Sequence, residues 1–343
     1  MKRSGRACLA MAFAGMVFAT SGTAQAEGQL NIYNWGDYIN PDVLTRFTED
    51  TGIEVTLDTY GTNEEMLAKI QSGAVGYDIV FPSVHMRDIM QKLELLHDAK
   101  VNTLKGFENI DPDNKRSKVD PESSFCLPYA WGAVGVFYNK EEAGEIKTWD
   151  DFFALPDNGK KITMLDDLRE TIGVARFKNG QSVNTGDDEA LKQAEAWLLE
   201  RKDKISAFSY DIVPLVQAGD IAAAHWYVGA TVYTLEEPDK LGFVIPEEGA
   251  TMYQEDICVL KDAPNKDSAI KFLEFYMQPE IAALNTLQQV NGTANVPARD
   301  LLPDELKANP NTNPSAEVIA KLQIFEDLGN DLRKYNRVWT RVR

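Results

Sequence analysis

Two carboxylates three residues apart, Asp167 and Glu170, stand in the run Asp166-Asp167-Leu168-Arg169-Glu170. Acids so spaced could form the working pair of a hydrolase or lyase, or could simply favour a helix N-terminus, where negative charge meets the positive end of the helix dipole. A second group is aromatic: Trp35 and Tyr38 flank Gly36-Asp37, where the β-prone run beginning at Leu30 stops. In open α/β sheets ligands collect beyond the carboxyl ends of the strands, which is where these two rings would stand; the plainer reading is that they cap a core. Other catalytic signals are missing. His85, His97 and His225 lie far apart without metal-ligand spacing, and there is no Gly-rich phosphate loop, Gly-x-Ser-x-Gly elbow or Cys-x-x-Cys. Neither cofactor nor metal is expected, and binding is favoured over catalysis.

The elements that must position these residues follow from periodicity. Residues 30–38 read as a strand ending in a turn, 41–51 as a helix with Pro at its first turn and Gly52 after its end, 53–60 as a second strand, 63–72 as a helix, and 77–81 as a third, buried strand. Three βα repeats in succession predict a parallel sheet. A helix over 87–96 comes next. Residues 125–138 form a long strand interrupted by Gly132 and Gly135, which suits a crossing between two lobes because glycine weakens a strand unless the chain bends or another backbone comes close. Further on, helices are expected over 149–155, 189–201, 212–218, 267–277 and 279–288. Strands are expected over 161–165, 221–227, 242–246 and 250–260, the last a return crossing; then come a polar loop over 291–297 and a helical tail over 315–332.

Residues 1–26 carry Lys2, Arg3 and Arg6, an apolar run over 7–19 and the small-x-small ending Ala24-Gln25-Ala26, a signal peptide pattern that directs the mature chain to the periplasm. Removing those three basic residues takes the formal charge from −18 to −21. Such a surface repels nucleic acid and anionic lipid; it suits cationic small molecules or plain solubility. After export only Cys126 and Cys258 remain, in an oxidising compartment, so a disulfide between them is possible.

Several short motifs fall together in order: Asn34-Trp35-x-x-Tyr38, Tyr77-Asp78-Ile79-Val80-x-Pro82-Ser83, Pro128-Tyr129-x-Trp131-Gly132, Asp166-Asp167-x-Arg169-Glu170, Trp226, and Asn295-x-x-Ala298. In these the chain resembles the bacterial periplasmic polyamine (spermidine/putrescine)-binding proteins of ABC transporters, over essentially the whole mature length. The resemblance implies a type II solute-binding fold with two α/β lobes joined by crossing strands and a polyamine held in the cleft. It places the first lobe over 27–135 and 256–300, the second over 136–255, and a C-terminal helical segment over 301–343 packed on both. It also implies a monomer that delivers its ligand to permease subunits in the inner membrane. Protonated amines joined by methylenes need carboxylates for the charges and aromatic faces for the stems. By resemblance, Trp35, Tyr38 and Ser83 line the first lobe, Asp167 and Glu170 take ammonium groups from the second, and Trp226 is a stacking wall. Asp166 and Arg169 are expected to serve structural pairing. Tyr253 stands where the family has Trp, and Glu255 where it has Asp. His85 and Asn291 replace family aromatics, and Phe325 replaces a polar group. These changes leave the particular ligand open, another organic cation or amino compound included. The extra methylene of Glu255 favours a short diamine such as putrescine.

Overall fold

The structure, a computed structural model, describes residues 28–73 and 76–343; the expected signal peptide over 1–26 lies outside the described residues. Strand β1 (Gly28–Trp35) feeds the helix Pro41–Thr51, which starts on the side chain of Asn40 and stops at Gly52 with φ 69°. A left-handed backbone costs glycine least, so the helix ends where glycine stands. Strand β2 (Ile53–Tyr60), the helix Asn63–Gln71 and strand β3 (Ile79–Val80) follow. Both β2 and β3 pair with β1 in parallel, as the repeated βα pattern predicts.

The remaining strands are β4 (Cys126–Asn139), β5 (Ile162–Met164), β6 (Ile205–Phe208), β7 (Ala223–Tyr227), β8 (Leu241–Val244), β9 (Ala250–Val259), β10 (Gly292–Thr293) and β11 (Leu322–Ile324). They join one sheet in the order β2-β1-β3-β9-β4-β7-β5-β6, with β8 and β10 also on β4 and β11 on β9. The sheet is therefore mixed, and the purely parallel expectation fails at β9, which returns antiparallel to both β3 and β4. A return strand needs no crossover helix, so antiparallel pairing is open to it.

Strands β4 and β9 connect the lobes. Residues 126–133 of β4 pair with β9, whereas 134–139 pair with β7 and β8. The glycines of β4 are required by close approach: a Cβ on Gly132 would lie 2.5 Å from Val228 and Tyr253 side chains, and one on Gly135 would lie 2.3 Å from the Val244 carbonyl oxygen. Cys126 faces Cys258 across the two strands, and the structure joins them in a disulfide with Cα atoms 4.5 Å apart.

The main core of the first lobe fully buries Leu30, Ile32, Phe47, Phe81, Leu127, Ile257 and Phe272. Each such side chain contributes roughly 1.5–3 kcal/mol by leaving water. In the second lobe neighbours on a strand enter opposite cores, Val136 with Trp149 and Phe152 on one face, Phe137 with Val216 and Phe243 on the other. That is the pattern of a sheet covered on both sides.

Three local expectations are corrected. The helix expected over 87–96 spans Val84–Lys92, because Ser83 precedes its first turn and Glu94 turns the chain with φ 56°. The polar loop expected over 291–297 contains β10 and the start of the helix Val296–Asp300, with Asn291, Thr293 and Asn295 all buried. The tail over 315–332 is not one helix. It breaks into the turn Ala316–Ile319 and β11, which adds to β9 in parallel at Ala250 to Met252; the amphipathic helix is Leu332–Val342, burying Tyr335, Val338 and Val342 on the second lobe. Gly329, at φ 52°, separates the two parts. No described helix is long and apolar enough to cross a membrane.

Candidate ligand-binding cleft

Strand β9 sorts side chains by parity, as a pleated strand must. Gln254 and Asp256 face away from the cleft, toward Asn114 and Arg87. Thr251, Tyr253 and Glu255 share the opposite face, and it is this face that the two lobes cover.

Glu255, 6% exposed, accepts the Tyr38 hydroxyl at 2.8 Å on Oε2 and the Ser83 hydroxyl at 3.3 Å on Oε1. The turn after β1 carries Tyr38: Asp37 has φ 52°, and the Tyr38 carbonyl oxygen accepts from Tyr129 and from Gln289, each at 2.5 Å. Ser83 sits at the start of the helix Val84–Lys92 and is fixed by Asn63, whose Nδ2 donates to its hydroxyl at 3.1 Å. Behind it, Arg87 of the same helix donates to Asp120 and Asp256 at 2.5 Å each, binding that helix to the back of β9. Asn291 donates to the Tyr38 hydroxyl at 3.2 Å, while its own Oδ1 is buried with no partner among the described residues. Trp35 stands beside this group: its indole N–H donates to the Phe81 carbonyl at 2.8 Å, and its ring lies 4.7 Å from that of Tyr60. Burial pushes the Glu255 carboxyl up to about 8, against the opposing hydrogen bonds from Tyr38 and Ser83.

The second lobe supplies the other carboxylates from the helix Leu168–Lys178. Asp167 caps it, its Oδ1 accepting the Arg169 and Glu170 amides at 2.7 and 2.9 Å. Here the helix-terminus reading of the sequence and the binding reading coexist, because Asp167 is only half-buried. Burial raises its carboxyl as well. Glu170, 4% exposed, accepts the Thr251 hydroxyl of β9, and burial, then the neighbouring Asp167 charge, push it up to about 8. Asp166 pairs with Arg343 at 2.6 Å, the structural role expected of it.

A row of rings runs between the acids. Trp226 lies 6.2 Å from Tyr210 and 6.0 Å from Tyr227, and Tyr227 lies 5.7 Å from Tyr253. The Tyr227 and Tyr253 phenols are raised by burial and by both Glu170 and Glu255, so these rings sit within the field of both carboxylates. His85 stands in the first turn of the helix Val84–Lys92, and its ring meets that of Phe325 edge-on at 6.1 Å.

The structure therefore gathers Tyr38, Ser83, Tyr253, Glu255 and Asn291 at one end, with Trp35 beside them, and Asp167, Glu170 and Trp226 at the other. Sequence reasoning missed Thr251, Tyr210, Tyr227 and Arg87. Alternation along β9 from Glu255 and Tyr253 points to Thr251; nothing in the sequence connects Arg87 to Asp256. Among the described residues Glu170 and Glu255 form no ion pair, and no cluster of side chains could hold a metal ion. The two buried carboxyls face a row of aromatic rings, with the Arg169 charge opposing the burial that raises Glu170, and a positive charge within a few ångströms of either would favour its ionised form.

Two α/β lobes, two crossing strands and a charged cleft between them define a solute-binding protein. The family model of bacterial extracellular solute-binding proteins matches residues 42–314, and the chain belongs to that family. Among its relatives, the putrescine-binding periplasmic protein SpuD of Pseudomonas aeruginosa is 31% identical, the match covering 100% of this chain and 99% of the relative. The spermidine/putrescine-binding periplasmic protein of Escherichia coli is 29% identical over 100% of this chain and 99% of its own. The solved structure of the spermidine/putrescine ABC transporter substrate-binding protein PotD from Streptococcus pneumoniae superposes with a TM-score of 0.83 at 33% identity, covering 92% of this chain and 98% of that one.

Proposed function

We propose that this protein captures a polyamine of the putrescine or spermidine type in the periplasm and delivers it to the permease subunits of an ABC importer, binding it without turnover and acting as a monomer with no affinity for nucleic acid. The observation that carries the reading is the pair Glu255 and Glu170, buried, free of cationic partners among the described residues and linked by Tyr253, Tyr227 and Trp226. An ammonium at each carboxylate contributes roughly 1.5–3 kcal/mol, and methylenes and cations against the rings about 0.5–2 kcal/mol each. A few such contacts suffice for micromolar binding, about 8 kcal/mol, after ordering costs. A hydrolase or lyase working through Asp167 and Glu170 would have to free one acid for chemistry. Here both acids act as hydrogen-bond acceptors, Asp167 Oδ1 for two backbone amides and Glu170 for a threonine hydroxyl, an arrangement that suits ionised carboxylates holding a cation.

Calorimetric titration of the mature protein with putrescine, spermidine and spermine tests the reading. Saturable one-to-one binding of at least one of them, with the amine recovered unchanged, is expected. Binding of none, or tighter binding of a neutral amino compound, would overturn it.

A further inference from the structure

The C-terminal segment is fastened to the second lobe by its backbone and to the first by its charges. Gln323 accepts the Val183 amide at 3.0 Å, Asn184 donates to the Ile324 carbonyl at 2.8 Å and accepts the Glu326 amide at 2.9 Å, and Arg169 donates to the Glu326 carbonyl at 3.2 Å. Residues 323–326 are therefore built onto the second lobe, where the helix Leu332–Val342 also packs. The carboxylates of Glu326 and Asp327 meet the first lobe instead: Lys118 Nζ lies 2.6 Å from Glu326 Oε1, and Lys92 Nζ lies 2.8 Å from Asp327 Oδ2. Lys92 ends the helix Val84–Lys92, whose Met86 and Met90 are in the first lobe's core, and the Lys118 amide donates to Asp88 of that same helix at 3.4 Å. Every other ion pair among the described residues stays inside one lobe, inside the tail, or between the tail and the second lobe. These two pairs alone lead out of the first lobe.

We propose that Lys92–Asp327 and Lys118–Glu326 form an electrostatic latch that holds the two lobes together over the cleft and slows the escape of a bound ligand. The proposal rests on the reading of the cleft as a polyamine site and adds what keeps that cleft shut. An equilibrium between two arrangements is shifted only by contacts that differ between them. These pairs meet that condition. The chain passes between the lobes along β4 and β9, and a rotation about those strands that parts a carboxylate from its ammonium by more than about 4 Å breaks the pair. Both lysines are more than half exposed. Water competes for such groups and long side chains lose freedom when they pair, so each pair is weak by itself. Weakness suits a latch that must open at every delivery, and two pairs made and broken together multiply their effect on the closed population. The latch residues lie outside the ring of side chains that would hold the amine, so they act on how long the ligand stays without touching it.

The test is stopped-flow release of putrescine, read by tryptophan fluorescence at roughly 20 mM and roughly 500 mM salt. Wild type is compared with a double reversal, Lys92→Glu with Lys118→Glu, and with a full swap that adds Glu326→Lys and Asp327→Lys. At low salt the double reversal should release the amine about tenfold faster than wild type, and the swap should return the rate to within about twofold. At high salt the gap between the double reversal and wild type should shrink to about threefold or less. X-ray scattering of the ligand-free proteins should show a larger radius of gyration for the double reversal at low salt, restored by the swap. Equal release rates overturn the latch. So does an acceleration that the swap fails to repair, because charge would then not be its cause. A wild type that binds no putrescine overturns the polyamine reading instead, and the scattering of the ligand-free proteins then decides the latch, equal radii overturning it.

Discussion

The two ends of the cleft reach the same electrostatic condition by different routes. Glu255 is buried among hydroxyl donors, Tyr38 and Ser83, themselves fixed by Asn63, Tyr129 and Gln289. Glu170 has one hydroxyl partner, Thr251, and lies beside a second acid, Asp167. Burial is the leading cause of a carboxyl pushed to about 8 at both, yet the next influence has opposite sign: hydrogen bonds lower Glu255, the Asp167 charge raises Glu170. The first end is prepared for charge by donors that are themselves hydrogen-bonded to Asn63, Tyr129 and Gln289. The second is held together chiefly by covering it, and its surroundings include the exposed Tyr210.

Breaking the bracing of the first end should produce the largest effect. The disulfide Cys126–Cys258 closes a separation of 132 residues, and replacing both cysteines by alanine should cost about 2–5 kcal/mol in denaturant unfolding. Ligand affinity should change little, since the hydrogen bonds at Glu255 remain. Arg87→Ala should be comparable, about 3–5 kcal/mol, because it leaves Asp256 buried and uncompensated. It should also weaken ligand binding by loosening Ser83, so unfolding and titration together separate the two braces. Next come the carboxylates. Glu255→Gln should weaken diamine binding by about 3–5 kcal/mol, and Glu170→Gln by less, roughly 1.5–3 kcal/mol, because Asp167 stays beside the vacated charge. If the two variants lose equally, the asymmetry between the ends is wrong.

The raised carboxyls make a smaller, signed prediction. Both fold with values near 8 from an ordinary 4.5, so the folded chain binds protons that the unfolded chain has released between those limits. Their contribution to the stability of the ligand-free protein is complete below about pH 4.5 and is lost as pH rises through 8. A dication requires both acids ionised, so its dissociation constant should fall as pH rises from 5 to 8, up to about tenfold per unit for each carboxyl. Glu170→Gln and Glu255→Gln should each remove one proton from that dependence. Trp226→Ala is expected to be smallest, about 0.5–2 kcal/mol, measurable as a faster ligand off-rate.

Much of this was legible in the chain itself because it was local. The Asn40 cap, Pro41, Gly52 and the alternation of β2 lie within a few residues of one another and announce the opening βα unit. Glu255 and Tyr253 are reached only through the resemblance, although both lie on a strand that periodicity predicts. The resemblance implies that Tyr38, Ser83, Asp167 and Trp226 line the cleft, but no local rule shows that Tyr38 and Glu255, 217 residues apart, share a hydrogen bond. Arg87 stayed hidden for that reason: its helix is amphipathic on sight, whereas its partners Asp120 and Asp256 come from two distant segments. The tail misled because Ala316–Ile319 begins as a helix, and only the free edge of β9 offers Leu322–Ile324 a better set of hydrogen bonds.

The parity of β9 also bears on how a receptor of this kind can change its ligand over evolutionary time. Odd-numbered positions from Thr251 to Glu255 meet the cleft, and even-numbered ones meet Arg87 and Asn114. Replacing an odd-numbered side chain alters recognition while the lobe behind it stays assembled. Inserting or deleting one residue would exchange the two sets, turning Asp256 into the cleft and leaving Arg87 without its acid. New specificities are therefore reachable through point substitution along this strand and closed to changes in its length, which makes β9 a dial that turns only in steps of two.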